Sequence, residues 1–80
     1  MSTKRNHAKV YRKVPGFLRD LRVSAGLTQR DLAEKIDQSQ WWVARSESGS
    51  RRIDVAEFVL FCEGCGVEPT RALSALRKRP

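Results

Sequence analysis

Histidine occurs once in this 80-residue sequence, cysteine twice, and methionine and tyrosine once each. His7 sits among basic residues, with no nucleophile beside a base and no paired carboxylates in a plausible cleft. A glycine-rich phosphate loop is missing too. The sequence therefore predicts no enzyme and implies no cofactor. Cys62 and Cys65 form a C-x-x-C without a second pair. With only distant His7 to add, one chain cannot assemble a four-ligand zinc site, so no metal is predicted. At i and i+3 on a helix the two thiols share a face, where free cysteine packs as a small hydrophobe. A redox or intersubunit metal role is the alternative reading. Long apolar runs are also lacking. Nothing approaches the ~18 residues of a membrane span, and Met1 to Gly16 has no apolar stretch of the kind a signal peptide needs. The expected location is cytoplasmic, nucleoid-associated in a cell without a nucleus, with no membrane partner.

What the chain does have is positive charge, +7 from 16 Lys and Arg against nine Asp and Glu. That favours a polyanionic partner, but its placement matters more than its total. Lys4, Arg5, Lys9, Arg12 and Lys13 face no acid within residues 1–16, and Arg77, Lys78 and Arg79 form a second basic run. Residues 17–76 hold eight basic and nine acidic side chains, a sum of −1. The middle is nearly neutral, so charge alone does not establish a nucleic-acid face. The boundaries predicted are a basic N-terminal arm over 1–14 and one folded domain over 15–78. The arm is read either as a DNA-following tail or as a solvated one.

Helical punctuation runs through the domain, and strand-period alternation does not. Pro15 can open a first helix, with Phe17, Leu18, Leu21 and Ala25 on one face and Gly26 as its stop. Thr28 and Asp31 make a capping-box variant before Leu32, Ala33 and Ile36. Asp37 occupies the following turn, and Ser39 is an N-cap for Gln40 to Ser48, which Gly49 ends. Asp54 and Glu57 start a fourth helix that carries Val55, Phe58, Val59 and Phe61, and Glu68-Pro69 starts a fifth with Ala72, Leu73 and Leu76. Phe58, Phe61, Leu73 and Leu76 are the expected core, and Tyr11 and Val14 are placed to staple the arm to the first helix. The predicted fold is all-α, a compact bundle of five short helices. At this length folding buries only roughly 60% of the unfolded surface, so any uncovered apolar side of the fifth helix is the expected dimer surface.

The second and third helices, joined by a tight turn, have the form that sets a helix into the major groove. Ala33 permits close approach; Leu32, Ile36 and Val43 supply apolar contact. At about 100° per residue, an inward Val43 leaves Trp41, Arg45 and Ser48 on the opposite side, with Ala44 beside them. Arg45 suits guanine and Gln40 suits adenine, each through paired hydrogen bonds. Gln29 suits a phosphate at the start of the second helix. Arg51 and Arg52, in the loop that follows, are expected to grip the backbone. Trp42 is expected in the core.

The run G26-L-T-Q-R-D-L-A-E-K-I, then S39-Q-W-W-V, then E47-S-G-S-R-R-I and E57-F closely resembles the phage-repressor-like (Cro/Xre-type) helix-turn-helix family. The likeness covers about residues 17 to 76 and is specific as a set. It implies a five-helix, lambda-repressor-like DNA-binding domain, commonly a dimer on a palindromic operator. It places Gln29, Ser39, Gln40, Trp41 and Arg45 at DNA-contacting positions and implies an ion pair between Arg22 and Glu47. Two departures stand out: Asp37 replaces the usual turn glycine, and Ser46 replaces a large apolar residue, which is expected to loosen the end of the third helix. The function expected is sequence-specific transcriptional regulation, as a repressor or autoregulator, by a homodimer on double-stranded DNA. RNA polymerase is a possible further partner. The alternative is a protein-interaction module, such as an antitoxin that binds a toxin.

Overall fold

A computed structural model describes residues 3–80 of the chain and, from His7 onward, their side chains. Six α-helices make up the described residues: α1 Thr3–Tyr11, α2 Val14–Ser24, α3 Gln29–Lys35, α4 Gln40–Ser48, α5 Val55–Gly64 and α6 Pro69–Lys78. The five-helix domain read from the sequence corresponds to α2–α6. The segment expected as an arm carries the additional helix α1.

Helices α3 to α6 each start where the sequence offers an oxygen to the free amides of a first turn, whereas α2 has Pro15 in its first turn and no side-chain cap. Thr28 and Asp31 bond reciprocally, side chain to backbone, as do Asp54 and Glu57, so α3 and α5 both begin with complete capping boxes. The Ser39 side chain accepts from the Trp42 amide at 3.0 Å. Glu68 accepts from the Thr70 and Arg71 amides ahead of the proline-led α6. The turn between α3 and α4 closes as a Schellman motif, with the Gln38 amide donating to the Ala33 carbonyl at 2.9 Å and Asp37 at φ 54°. That left-handed conformation favours glycine. Aspartate is one of the few residues with a side chain that adopt it readily, so the turn survives the substitution.

Leu18 of α2, Leu32 of α3, Val43 of α4 and Phe61 of α5 are fully buried at the centre of the core, where α4 packs across both α2 and α3. Cys62 and Cys65 are buried with them. Tyr11 is half-buried, and its hydroxyl accepts from the Ile53 amide at 2.8 Å, which ties the end of α1 to the loop before α5. Two residues expected in the core lie elsewhere. Leu73 is 56% exposed and Phe58 is only partly covered. Both line an apolar groove between α5 and α6, shared with Tyr11, Val55 and Leu76, because α6 buries Ala72 and Leu76 and turns Leu73 away.

Among the glycines, Gly64 is the one most tightly approached by neighbouring side chains. A Cβ there would lie 2.5 Å from Ile36 Cγ2 and 2.7 Å from Leu32 Cδ1. Both neighbours are buried. Gly64→Ala is therefore expected to destabilise by about 1–3 kcal/mol through overpacking, outweighing the small propensity gain at a last helical position. A chemical denaturation curve checks this, and a midpoint equal to wild type would contradict it.

Candidate nucleic-acid interface

Helix α4 has two faces with opposite fates. Trp42, Val43, Ser46 and Glu47 are buried, while Gln40, Trp41, Arg45 and Ser48 are exposed and Ala44 lies between. Ser46 does not loosen the helix end as its polarity suggested. It is fully buried, and its hydroxyl donates to the Trp42 carbonyl at 2.8 Å, so no polar atom is stranded. Trp42 fills the space beside it and stacks on Phe61 with ring centroids 6.4 Å apart.

Helix α4 is locked to α2 by charge. Arg22 Nε and Nη2 reach the two Glu47 carboxylate oxygens at 2.6 and 2.9 Å, a two-pronged pair with the Glu47 side chain almost wholly buried. Arg22 Nη1 also donates to the Leu27 carbonyl at 2.8 Å. The bond to Glu47 holds the Arg22 guanidinium above its ordinary pKa, against the opposing effect of burial. Gln29 joins this network, donating its side-chain amide to Glu47 at 3.2 Å. Its carbonyl oxygen and second N–H are left for another partner.

On the outer face, Trp41 is 60% exposed, and the Arg45 guanidinium lies 5.1 Å from its ring centroid. Arg45 Nη1 also approaches the Ser50 hydroxyl at 3.4 Å, and Ser50 shares a hydrogen bond with Ser48 at 2.9 Å. A stacked guanidinium of this kind is held in place without being buried. Gln40 stands at the other end of α4, where it lines a cleft with Arg22, Gly26, Thr28, Gln29 and Arg30. Ser39, beside it, uses its oxygen as the N-cap and keeps its hydroxyl proton free to donate.

The loop arginines divide. Arg52 is exposed, its guanidinium 4.5 Å over the Tyr11 ring. Arg51 was expected to grip a backbone, but its guanidinium is engaged within the fold. It pairs with Glu57 and lies 4.7 Å over the Trp42 ring, bridging α4 to the start of α5. That pairing, with the Asp54 amide, holds the Glu57 carboxyl below its ordinary range. Sequence reasoning assigned Arg51 by its loop position and missed Glu57, six residues on, as the competing anion. The Tyr11–Arg52 stack and the Gln29–Glu47 bond were missed as well, since neither has a local sequence signature. Gly64 did leave a signal, because glycine inside a helical pattern often marks close approach.

Burial pushes the Cys62 and Cys65 thiols up to about 11, so neither is a thiolate near neutrality. Both side chains are buried, and the pair packs as part of the core. No group of three or more metal-ligating side chains occurs among the described residues. No helix among them is long and apolar enough to cross a membrane.

A family described as a helix-turn-helix domain matches residues 16–76. No curated protein gives a significant match. Among solved structures, an XRE-family-like protein from Pseudomonas syringae pv. tomato str. DC3000 is 39% identical, with a TM-score of 0.85 over 94% of this chain and 92% of that one. A point variant of the restriction-modification controller protein C.Esp1396I is 26% identical, with a TM-score of 0.81 over 86% of this chain and 92% of that one. The same controller, described as a tetramer in complex with its natural 35-base-pair operator, is 26% identical, with a TM-score of 0.79 over 86% and 91%. The matched residues run from α2 through α6 and include the two-faced α4 and its Arg22–Glu47 lock; the chain belongs to the XRE-type helix-turn-helix family.

Proposed function

We propose that this chain is a sequence-specific transcriptional regulator, a repressor or autoregulator, that binds double-stranded DNA as a homodimer with α4 in the major groove. One observation carries the reading: Trp41 and Arg45 project from a helix whose opposite face is fixed in the core by Trp42, Val43, Ser46 and Glu47. A rigidly seated helix with an exposed guanidinium is what base readout requires, since its discrimination depends on fixed geometry. Arg45 reads guanine and Gln40 reads adenine. Trp41 and Ala44 offer apolar contact, as to a thymine methyl, and Ser48 a polar one. Gln29, Ser39 and Arg52 hold phosphates. The operator complex of the C.Esp1396I controller supports DNA as the partner.

Two copies associate through the groove between α5 and α6, where Val55 is 81% exposed and Leu73 56%. Symmetric pairing places two α4 helices about one DNA turn apart, ~34 Å, and calls for a palindromic operator. Selection of bound duplexes from a random pool tests both parts, and a palindromic consensus is the expected product. On that site Arg45→Ala should lose about 5- to 150-fold in affinity, the worth of one paired contact, while binding to random duplex is little changed. Equal losses on both would remove Arg45 as a base reader. An absence of binding to any duplex at about 50 mM salt would overturn the regulator reading itself.

A further inference from the structure

The two basic flanks are far apart in sequence, but the fold brings them together. Lys13, just past α1, donates from Nζ to the carbonyl of Arg77 near the end of α6 at 3.2 Å. Lys9, Arg12 and Lys13 line a concavity with Pro80 at the other end of the chain. Arg79 is turned inward, paired with Asp20 at 2.8 Å and 5.8 Å from the Phe17 ring centroid, and this seats the C-terminal residues against α2. Asp20 is the acid that faces this cluster, and Arg79 neutralises it. Lys9, Arg12, Arg77 and Lys78 are left exposed and have no acidic partner among the described residues.

This cluster adjoins the proposed DNA-reading face. Arg45 reaches Ser50, Arg52 lies over Tyr11, and the Tyr11 hydroxyl holds the Ile53 amide, so contacts run from α4 through the loop to the end of α1. A Cβ at Gly49 would lie 3.1 Å from Pro15, which places the C-terminal end of α4 against the start of α2, next to Lys13.

We propose that α1 and the C-terminal end of α6 form one composite basic face, with Lys9, Arg12, Lys13 and Arg77, that grips the phosphate backbone of the duplex alongside the α4 contact. This rests on the DNA-binding reading above and extends the footprint of each subunit beyond the groove. The chemistry favours a backbone over single-stranded bases. The Tyr11 ring at the cluster is covered by Arg52 and stacked with His7 at 6.2 Å between centroids, so it offers no free platform for base stacking. It also favours nucleic acid over a lipid surface. Among the described side chains of α1 the only exposed large apolar one is Val10, too little to seat a helix in a bilayer interface.

The test uses the full chain with Lys9→Gln, Arg12→Gln and Lys13→Gln combined, and a charge-retaining control with Lys9→Arg, Arg12→Lys and Lys13→Arg. Binding to a random duplex of about 30 base pairs is measured across a salt series. The expected result is that the neutral variant lowers the slope of log K against log salt by about two to three, at roughly 0.9 per phosphate contact. The control should keep the wild-type slope. The tryptophan emission at saturating DNA should match that of the wild-type complex, because α4, which carries Trp41 and Trp42, still docks. An unchanged slope overturns the proposal, and so does a slope lost equally in the charge-retaining control. If the neutral variant instead loses binding to phosphatidylserine vesicles and keeps its DNA slope, the face belongs to membranes and the proposal falls. Failure of the regulator reading shows up separately, as Arg45→Ala having no effect on a selected site while the slope change stands.

Discussion

Replacing Glu47 with alanine is expected to cost about 3–5 kcal/mol of stability, because it leaves the Arg22 guanidinium buried without its anion. The structure gives Arg22 three donated bonds, two to Glu47 and one to the Leu27 carbonyl, and only the last would survive. Gln29 would lose its acceptor in the same step. A domain of this size has about 5–15 kcal/mol in total, and each kcal/mol is worth roughly 4–8 °C. The midpoint should therefore fall by at least ~12 °C in a thermal melt followed by circular dichroism. Glu47→Gln keeps a carbonyl acceptor and the side-chain shape, and should lose less. Combining Arg22→Leu with Glu47→Leu should recover much of the loss, since exchanging both members of a buried pair for apolar groups is often nearly neutral. Recovery will be incomplete, because the Leu27 carbonyl loses its donor. A Glu47→Ala midpoint within a few degrees of wild type would show that the pair positions α4 without stabilising it.

That pair also marks how far the sequence could be read. The capping boxes at Thr28 and Asp54, the N-cap at Ser39 and the left-handed stop at Gly49 are local features, and each appears where its residues call for it. The two faces of α4 follow from helical period alone. The ion pair spans 25 residues and came only from family likeness, since nothing in the spacing brings Arg22 to Glu47. Where two partners compete for one side chain, local reading is incomplete. Arg51 meets Glu57 and the Trp42 ring, and Tyr11, read as a staple to the first helix, also bonds to the Ile53 amide. Leu73 failed in the other direction. Its apolarity suggested the core, but α6 has only one face to bury and gives it to Ala72 and Leu76.

A consistent division of labour results. Charge inside the domain is used for assembly: Arg22 with Glu47, Arg51 with Glu57, Arg79 with Asp20. Two of these pairs, Arg22–Glu47 and Arg51–Glu57, lie wholly within residues 17–76, the nearly neutral stretch that is proposed to bind a polyanion. Two of the arginines left outside these pairs, Arg45 and Arg52, lie over aromatic rings. Stacking restrains a guanidinium while leaving its edge N–H groups open to a base or phosphate.

The seat of α4 is expected to fail most completely at Trp42. Its indole is 7% exposed, stacked on Phe61 of α5 on one side and covered by Arg51 at 4.7 Å. Arg51 in turn holds Glu57, whose carboxylate completes the capping box that starts α5. Trp42→Ala opens a cavity between α4 and α5 and removes the surface on which Arg51 lies. Truncations of this kind cost about 3–5 kcal/mol. Trp42→Phe keeps an aromatic face for both neighbours and should cost clearly less. In contrast, Trp41→Ala removes an exposed ring one position away and should leave the denaturation midpoint close to wild type, its effect confined to DNA binding. Urea unfolding of the three variants separates the roles of the adjacent tryptophans. A large stability loss in Trp41→Ala together with a small one in Trp42→Ala would reverse the assigned faces of α4, and with them the residues offered to DNA.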